Sequence, residues 1–475
     1  LFSLFREKVF SSRGVDIKLS RFWGSCALIS SDVFRVKYFR GCLPSFRVVA
    51  MRQFLLPIAS LLLGSAFLFF AGGVTGMHLP LRGTFEGFSS LSLGLLGTGW
   101  AIGYVTGCLS VPKIVQRAGH IRAFGVMASL ACLSVLASSL MVDPIAWIAF
   151  RSVAGFAFAG AAMIVESWLT ERSDPSNRGV VFGTYTMVNL AATTGGQVVL
   201  SMGPIDGFEF FVIASMFYVV ALIPTAVTRT PAPAPLAQVK LDIRRLWRNS
   251  PVAVVAVVLT GVSNGSFGTL AAVYGGQVGL PIASITLFVS SSILAGAFAQ
   301  VPIGMISDRT DRRYVVIAIA VVALAADSMF LFADTSSANI AIASAVIFGA
   351  AIYTFYPVLV AHANDHADAG DAMQTSGGLL LMLGVGSMIG PFLGGVLMSV
   401  FGSIGLFMST FGAHALILAF TLWRLTQRSA VAESEKSVFV PSAPTRTATP
   451  QTIILADEEV AKEMEVDELS EQPSS

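Results

Sequence analysis

Five of the six residues from Asp308 to Arg313 are charged (Asp308, Arg309, Asp311, Arg312 and Arg313), in a chain with only 12% charged residues. Gly304 precedes the cluster, and long apolar runs flank it on both sides. At a helix end, Asp308 can pair with Arg309 or Arg312 and face the positive N-terminus of a neighbouring helix. A weaker copy runs from Pro112 to Arg122, with Gln116, Arg117, Gly119 and Arg122; Gln116 and Asp308 lie 192 positions apart. Three further ionisable residues, Arg151, Glu166 and Asp327, stand alone within apolar runs. A charge at such a place in lipid is costly and faces a cavity or a partner. Arg151 fits a cavity position, or snorkels to the nearer surface. Glu166 lies 15 residues further along, about 22 Å on a helix, too far for the two to pair. It is expected to join Arg172 or Arg178 in a loop network, or to handle a proton. Asp327 must be neutral or paired, and is a candidate proton carrier.

Other groups offer less chemistry. Glu86 and Arg82 flank a short loop, lining a mouth or simply solvated. His78 and His414 read as packed histidines. His362 and His366 have i,i+4 spacing but lack a third ligand of clear geometry, so no metal site is expected. Cys26, Cys42, Cys108 and Cys132 show no CxxC spacing, which points to neither a disulfide framework nor a metal. No nucleophile–base constellation suggests an enzyme. The absence of a Gly-x-x-x-x-Gly-Lys-Ser/Thr loop argues against ATP drive. No cofactor is expected.

The elements that must position these residues are membrane helices. The chain is 54% hydrophobic, with mean hydropathy +0.75, and its apolar runs of about 20 residues match a bilayer core. The runs are continuous rather than alternating, and in lipid that leaves helices. Twelve spans are expected: 54–77, 91–112, 122–141, 145–169, 179–202, 208–228, 251–274, 283–306, 314–333, 338–361, 373–399 and 403–425. Between the sixth and seventh, Pro231, Pro233 and Pro235 precede Lys240, Arg244, Arg245 and Arg248, so residues 229–250 form a linker, with a short interfacial helix near Leu241–Trp247. The loops after spans two, four, six and eight carry thirteen Lys/Arg, and the opposite side carries only Arg82, which places those loops and both termini in the cytoplasm.

Two segments depart from this pattern. Residues 1–50 carry nine Lys/Arg against three Asp/Glu and precede Met51, where a first membrane helix would normally begin. They are expected to be a non-native or disordered extension, the alternative being a basic arm on anionic lipid. Residues 429–475 carry ten Asp/Glu against three Lys/Arg. They are expected to form a disordered cytoplasmic tail, with a transient helix at Asp457–Leu469.

The repeat extends beyond the charged loops. Gly155 matches Gly349, and Gly196-Gln197 matches Gly390-Pro391, both at an offset of 194 (155 to 349, 196 to 390). This divides the chain into a six-helix bundle at 51–228 and a second at 251–428. At these residues the chain resembles the major facilitator superfamily. Gly304-x-x-x-Asp308-Arg309-x-x-Arg312-Arg313 is similar to that family's loop between the second and third helix of a half, with Asp311 where glycine is usual. In the first copy Pro112 and Gln116 replace its glycine and aspartate. Arg151 with Gly155 resembles the fourth-helix arginine motif. Gly384, Gly386, Gly390-Pro391 and Gly394-Gly395 resemble the glycine-rich antiporter motif, displaced from the fifth helix to the eleventh. Glu166-Ser-Trp-Leu169, Tyr356-Pro357 and Ala361 to Asp365 resemble the YcaD-type bacterial branch more narrowly.

The resemblance implies an all-α fold of twelve transmembrane helices in two pseudo-symmetric six-helix bundles, with a solute cavity between them near the midplane. It implies a multi-pass monomer of the cell inner membrane, surrounded by lipid and acting on a small solute and protons, not on nucleic acid. It makes Asp308 a latch that closes the cytoplasmic side, against the simpler reading that these charges only set topology. It gives Arg151 a role in proton or substrate handling. Cavity candidates on the first, fourth, seventh and tenth helices are Asn264, Phe267, Tyr274, Tyr353 and Tyr356, with Gln300 on the eighth. The expected function is secondary active transport by alternating access. The competing expectation is a non-transporting membrane sensor or scaffold that binds a partner through its acidic tail.

Overall fold

The structure is a computed structural model, and it describes residues 48–173, 177–227, 236, 242–367, 371–427, 436–437, 439–442 and 447–456. Residues from Leu55 onward form one compact unit. The described residues contain helices and turns and no strand. In chain order the helices are α1 (Val48–Phe85), α2 (Ser90–Ala118), α3 (His120–Leu140), α4 (Pro144–Glu171), α5 (Arg178–Val198), α6 (Glu209–Val220), α7 (Leu222–Val227) and α8 (Ile243–Asn249). Then follow α9 (Pro251–Gln277), α10 (Ile282–Arg309), α11 (Arg312–Phe332), α12 (Ala338–Asn364), α13 (Ala372–Phe401), α14 (Gly405–Leu425) and α15 (Pro450–Ala456).

Among the described residues, nine helical segments are long and apolar enough to cross a membrane, and one of these, Gln374–Leu425, runs through both α13 and α14. The fifth expected span is α5, and a 3₁₀ turn (Val199–Met202) continues it. The sixth is divided between α6 and α7. Helix therefore occupies each of the twelve expected spans among the described residues, though four (the fifth, sixth, eleventh and twelfth) depart from a plain single crossing. The short linker helix is α8, pinned by an ion pair from Arg245 to Asp371.

Local chemistry sets the helix ends. Asp143 accepts the Ala146 N–H at 2.8 Å ahead of Pro144, and Ser250 accepts that of Ala253 at 3.2 Å ahead of Pro251. Both pairs place a polar cap before a proline in the first turn. Gly119 joins α2 to α3 at φ +79, a conformation that disfavours any side chain.

The duplicated glycines do equivalent work. A Cβ on Gly155 of α4 would lie 2.1 Å from the Trp100 carbonyl of α2, and one on Gly349 of α12 would lie 2.0 Å from the Ser292 carbonyl of α10. Likewise, a Cβ on Gly196 of α5 would lie 2.2 Å from the Phe70 carbonyl of α1, and one on Gly390 of α13 would lie 2.1 Å from the Val262 carbonyl of α9. Each half thus brings its fourth helix onto its second and its fifth onto its first by the same backbone contact. Helix association in lipid depends on such close approach rather than on a hydrophobic drive.

Between the halves, one end is closed by helix-to-helix contact. Gly94 of α2 lies against Pro391 and Gly395 of α13, Thr98 donates to the Met388 carbonyl at 2.8 Å, and Gln277 donates to Ser90 at 3.3 Å. This is the Arg82 end. The opposite end carries the Asp308 cluster, and there the described tail residues lie between the halves. The expectation of a disordered tail is corrected for the described residues 436–437, 439–442 and 447–456: Phe439, Ala448, Thr449 and Leu455 are all buried. The apolar and hydroxyl-bearing stretch before Asp457 can pack, which an average over the acidic tail conceals. Asp457–Leu469 and residues 1–47 lie outside the described residues.

Candidate functional site

A cavity lies at mid-depth between the halves. Its lining includes Thr75 (α1), Trp100 (α2), Arg151 (α4), Gln197 (α5), Phe267 (α9) and Tyr353 (α12), and it encloses about 940 Å³ of empty space, part of it open. That is within the range for small-organic-molecule sites. Arg151 is buried, with its guanidinium 5.9 Å from the centre of the Trp100 ring. It therefore does not snorkel to the surface. Of the described lining residues it is the one cation, set among Phe69, Phe158 and Phe267 with the hydroxyls of Thr75 and Tyr218.

The predicted cavity residues divide. Phe267 and Tyr353 line this cavity, and Tyr356 lines a second, nearer the Asp308 end, together with tail residues Val440 to Ser442 and Thr452. Gln300 is not in either lining; it donates to the Tyr353 carbonyl at 3.3 Å and accepts from the Ser442 N–H at 2.9 Å. Tyr274 packs among Phe288, Phe330 and Phe407, with its hydroxyl 2.5 Å from that of Thr335. Asn264 is buried, and its Oδ1 has no hydrogen-bond partner among the described residues. Tyr274 and Asn264 share α9 with Phe267 but not its exposure to the cavity, a distinction that residue type does not carry.

Glu166 has different partners from those expected. It is 1% exposed and accepts hydroxyls from Tyr185 at 2.9 Å, from Thr452 at 2.7 Å and from Thr449. Arg172 and Arg178 are not its partners; two of the three hydroxyls come from the tail. Asp327 is fully buried, and it accepts from Thr410 at 2.6 Å and meets His414 Nδ1 at 2.6 Å, both on α14. The pair is a tie between α11 and α14, with no place in the lining of the Arg151 cavity.

The Asp308 cluster is organised by Arg312. Arg312 is 1% exposed and reaches Asp365 at 2.7 Å, Asp308 at 3.1 Å and Ser307 at 3.0 Å, and it also donates to the Ser437 carbonyl. Asp308 itself is 39% exposed, whereas Asp365 is 2% exposed. Every carboxylate partner of Arg312 thus comes from its own half. Gly304, at the start of the motif, is covered by Phe439, whose ring would lie 2.4 Å from an added Cβ. Arg313 clasps Asp311 with two nitrogens, the shorter contact at 2.7 Å. Burial pushes the Asp311 carboxyl up, but the hydrogen bonds from Arg313 outweigh it and hold it below the ordinary range. Arg309, Arg117 and Arg122 are exposed. Asp365 is the functional candidate that sequence reasoning passed over; its signal was the Ala361 to Asp365 stretch. His366 Nδ1 lies 2.9 Å from the His362 carbonyl, and no group of three potential metal ligands occurs among the described residues.

Residues 253–458 match the model of the Major Facilitator Superfamily. That match covers the second half and part of the tail, and the apolar helices are those of a multi-pass membrane protein by length and composition. The chain is similar to the YcaD-type proteins. It is 27% identical to the uncharacterised MFS-type transporter YcaD of Shigella flexneri serotype 5b, over 75% of this chain and 93% of that protein. It is 26% identical to an uncharacterised MFS-type transporter of Enterobacter sp. (strain 638), over 74% of this chain and 91% of that protein. Among solved structures, the nucleoside transporter NupG matches with TM-score 0.67 at 12% identity, covering 78% of this chain and 98% of that one. A D-xylose–proton symporter matches with TM-score 0.61 at 13% identity, covering 80% and 99%. At these identities the structural likeness concerns the fold alone.

Proposed function

We propose that the chain is a secondary active transporter that moves a small organic solute across the cytoplasmic membrane by alternating access, coupled to protons. The observation that carries this reading is the Arg151 cavity, sealed by helix packing at the Arg82 end and meeting only the tail at the other. With the basic loops in the cytoplasm, that arrangement is an inward-facing one, with its outer gate closed at Gly94 and Pro391. Among the described residues Asp308 has no inter-half partner, which accords with it: a latch that holds the cytoplasmic side closed has nothing to hold in this state.

The lining favours a solute with an apolar or aromatic body and one anionic or acceptor group. The acceptor would meet Arg151, and the body would lie against Phe158, Phe267 and Trp100. Glu166 is the better placed of the buried acids to exchange a proton, because its partners are hydroxyls at the cytoplasmic end, while Asp327 is engaged with His414. Solute counterflow in proteoliposomes, screened over metabolites and drugs with and without a pH gradient, tests the proposal. Flux for at least one anionic or acceptor-bearing solute, faster with the gradient, is the expected result. Absence of flux across the panel would count against transport.

A further inference from the structure

The described residues between Lys436 and Ala456 (436–437, 439–442 and 447–456) lie at the end of the molecule that bears the Asp308 cluster. At their start, Lys436 Nζ donates to the Thr310 carbonyl at 2.6 Å. The N–H and hydroxyl of Ser437 both donate to Asp365 at 2.8 Å, and its carbonyl accepts from Arg312. Phe439 covers Gly304, and the Ser442 N–H donates to Gln300 at 2.9 Å. All these partners belong to the second half.

The residues from Thr447 onward meet the first half. Tyr104 donates to the Ala448 carbonyl at 3.1 Å, and Thr449 and Thr452 donate to the two oxygens of Glu166. Thr447 reaches the lining of the Arg151 cavity. The short helix α15 packs on α4, α5 and α13. Buried polar groups normally find partners, and here Glu166 and Gln300 each find one in the tail. At this end the two halves are therefore bridged by the chain's own C-terminal segment, whereas at the other end they touch directly.

We propose that residues 436–456 are an autoinhibitory plug seated in the cytoplasmic vestibule, released before solute or protons reach Glu166 and the Arg151 cavity. The role as an inhibitor rests on the transport reading above; the docking does not. Thr449 and Thr452 occupy both carboxylate oxygens of Glu166, so a proton or solute arriving from this side must displace them. Because the plug is tethered, its effective concentration is of millimolar order. A detached peptide therefore needs a similar concentration to replace it.

Cys108 provides a reporter. It is buried and lines a small cavity with Tyr104, Gly384 and Ala448, so the tail forms part of its cover. In a full-length protein carrying Cys26→Ala, Cys42→Ala and Cys132→Ala, labelling of Cys108 by an impermeant maleimide is measured in permeabilised membranes. Ending the chain after Gln427 is expected to raise the rate at least tenfold, and a synthetic peptide of residues 436–456 to lower it again. Ala448→Cys in the same full-length background is expected to form an intramolecular disulfide with Cys108 on mild oxidation, which decides the matter if the truncated chain fails to fold. Equal labelling with and without the tail, or free labelling of both thiols in the Ala448→Cys protein, would overturn the docking. Given docking, counterflow separates the two ideas. Faster flux by the truncated protein, at least threefold, supports inhibition; equal flux overturns it. Flux in neither protein sinks the transport reading and the inhibitory role with it, leaving only the docked segment.

Discussion

The charged cluster yields a prediction that residue order alone would reverse. Asp308 is the conspicuous acid of the motif, but the geometry gives the structural weight to Asp365. The Arg312–Asp308 pair has a carboxylate 39% exposed at 3.1 Å, and pairs open to water contribute about 0–1 kcal/mol. The Arg312–Asp365 pair is buried on both sides, at 1% and 2% exposure and 2.7 Å. Removing one member of such a pair strands the other charge and costs about 3–5 kcal/mol. Ser307 and Asp308 remain to Arg312, which puts Asp365→Ala near the lower end, about 3 kcal/mol. Asp365→Ala should therefore be less stable than Asp308→Ala by about 2 kcal/mol. The assay is an SDS titration of protein in mixed micelles, followed by tryptophan fluorescence. Because Asp365 also binds Ser437, the comparison is repeated in a chain ended after Gln427, where the order should persist. Arg312→Met combined with Asp365→Leu should regain most of the loss, since no buried charge is left unpaired and the Asp308 that loses Arg312 is open to water. If Asp308→Ala unfolds as early as Asp365→Ala in both backgrounds, the assignment of the cluster to Arg312 is wrong.

Four other outcomes follow from the same geometry. Gly155→Val places carbon 2.1 Å from the Trp100 carbonyl and should cost at least about 3 kcal/mol, read as loss of monodisperse protein on size-exclusion chromatography; a normal profile would refute the contact. Asp327→Ala leaves His414 and Thr410 buried without their acceptor, and should cost about 3 kcal/mol or more in the same SDS titration. Asp327→Asn should keep any pH-gradient-dependent flux, because the pair lies outside the cavity; loss of that dependence would restore Asp327 as a proton carrier. Arg151→Lys removes the planar guanidinium beside Trp100, and should weaken binding of an acceptor-bearing solute by about 1 kcal/mol, or roughly fivefold, measured as the half-saturation of counterflow.

Much of the fold was legible because lipid restricts the options. Runs of apolar residues had to be helices, and the charged loops set their limits. The offset of 194 carried more than a statistical repeat: Gly155 with Gly349, and Gly196 with Gly390, mark the same backbone contacts in each half. The weak points were α5, where polar residues such as Asn189 and Gln197 lower the hydropathy, and the break between α6 and α7 at Ala221. The site was less legible, for a physical reason. On a helix buried on most sides, residue type does not reveal which face meets a cavity, so Phe267 was separated from Tyr274 and Asn264 only by coordinates. Partners distant in sequence were equally hidden: His414 for Asp327 is 87 positions away, and Thr452 for Glu166 is 286.

The asymmetry between the two charged loops has a structural counterpart. In the second copy Arg312 is drawn inward by two carboxylates and a tail carbonyl, and Phe439 seals the glycine that opens the motif. In the first copy Gln116 has no charge to offer, and Arg117 and Arg122 stay at the surface. A cytoplasmic latch, as proposed, would therefore have one acidic acceptor at the equivalent positions of the two motifs, Asp308, and in the present state that carboxylate accepts from Arg312 of its own half. Closing the cytoplasmic side would require the tail to leave the vestibule, which also uncovers Gly304 and removes one acceptor from Arg312. Plug release and latch formation thus draw on the same residues. Gly304→Ala should disturb both, because its new methyl meets the Phe439 ring. The expected readout is faster maleimide labelling of Cys108 in full-length protein with no further increase on truncation. A Cys108 rate unchanged by Gly304→Ala would separate the motif from the plug.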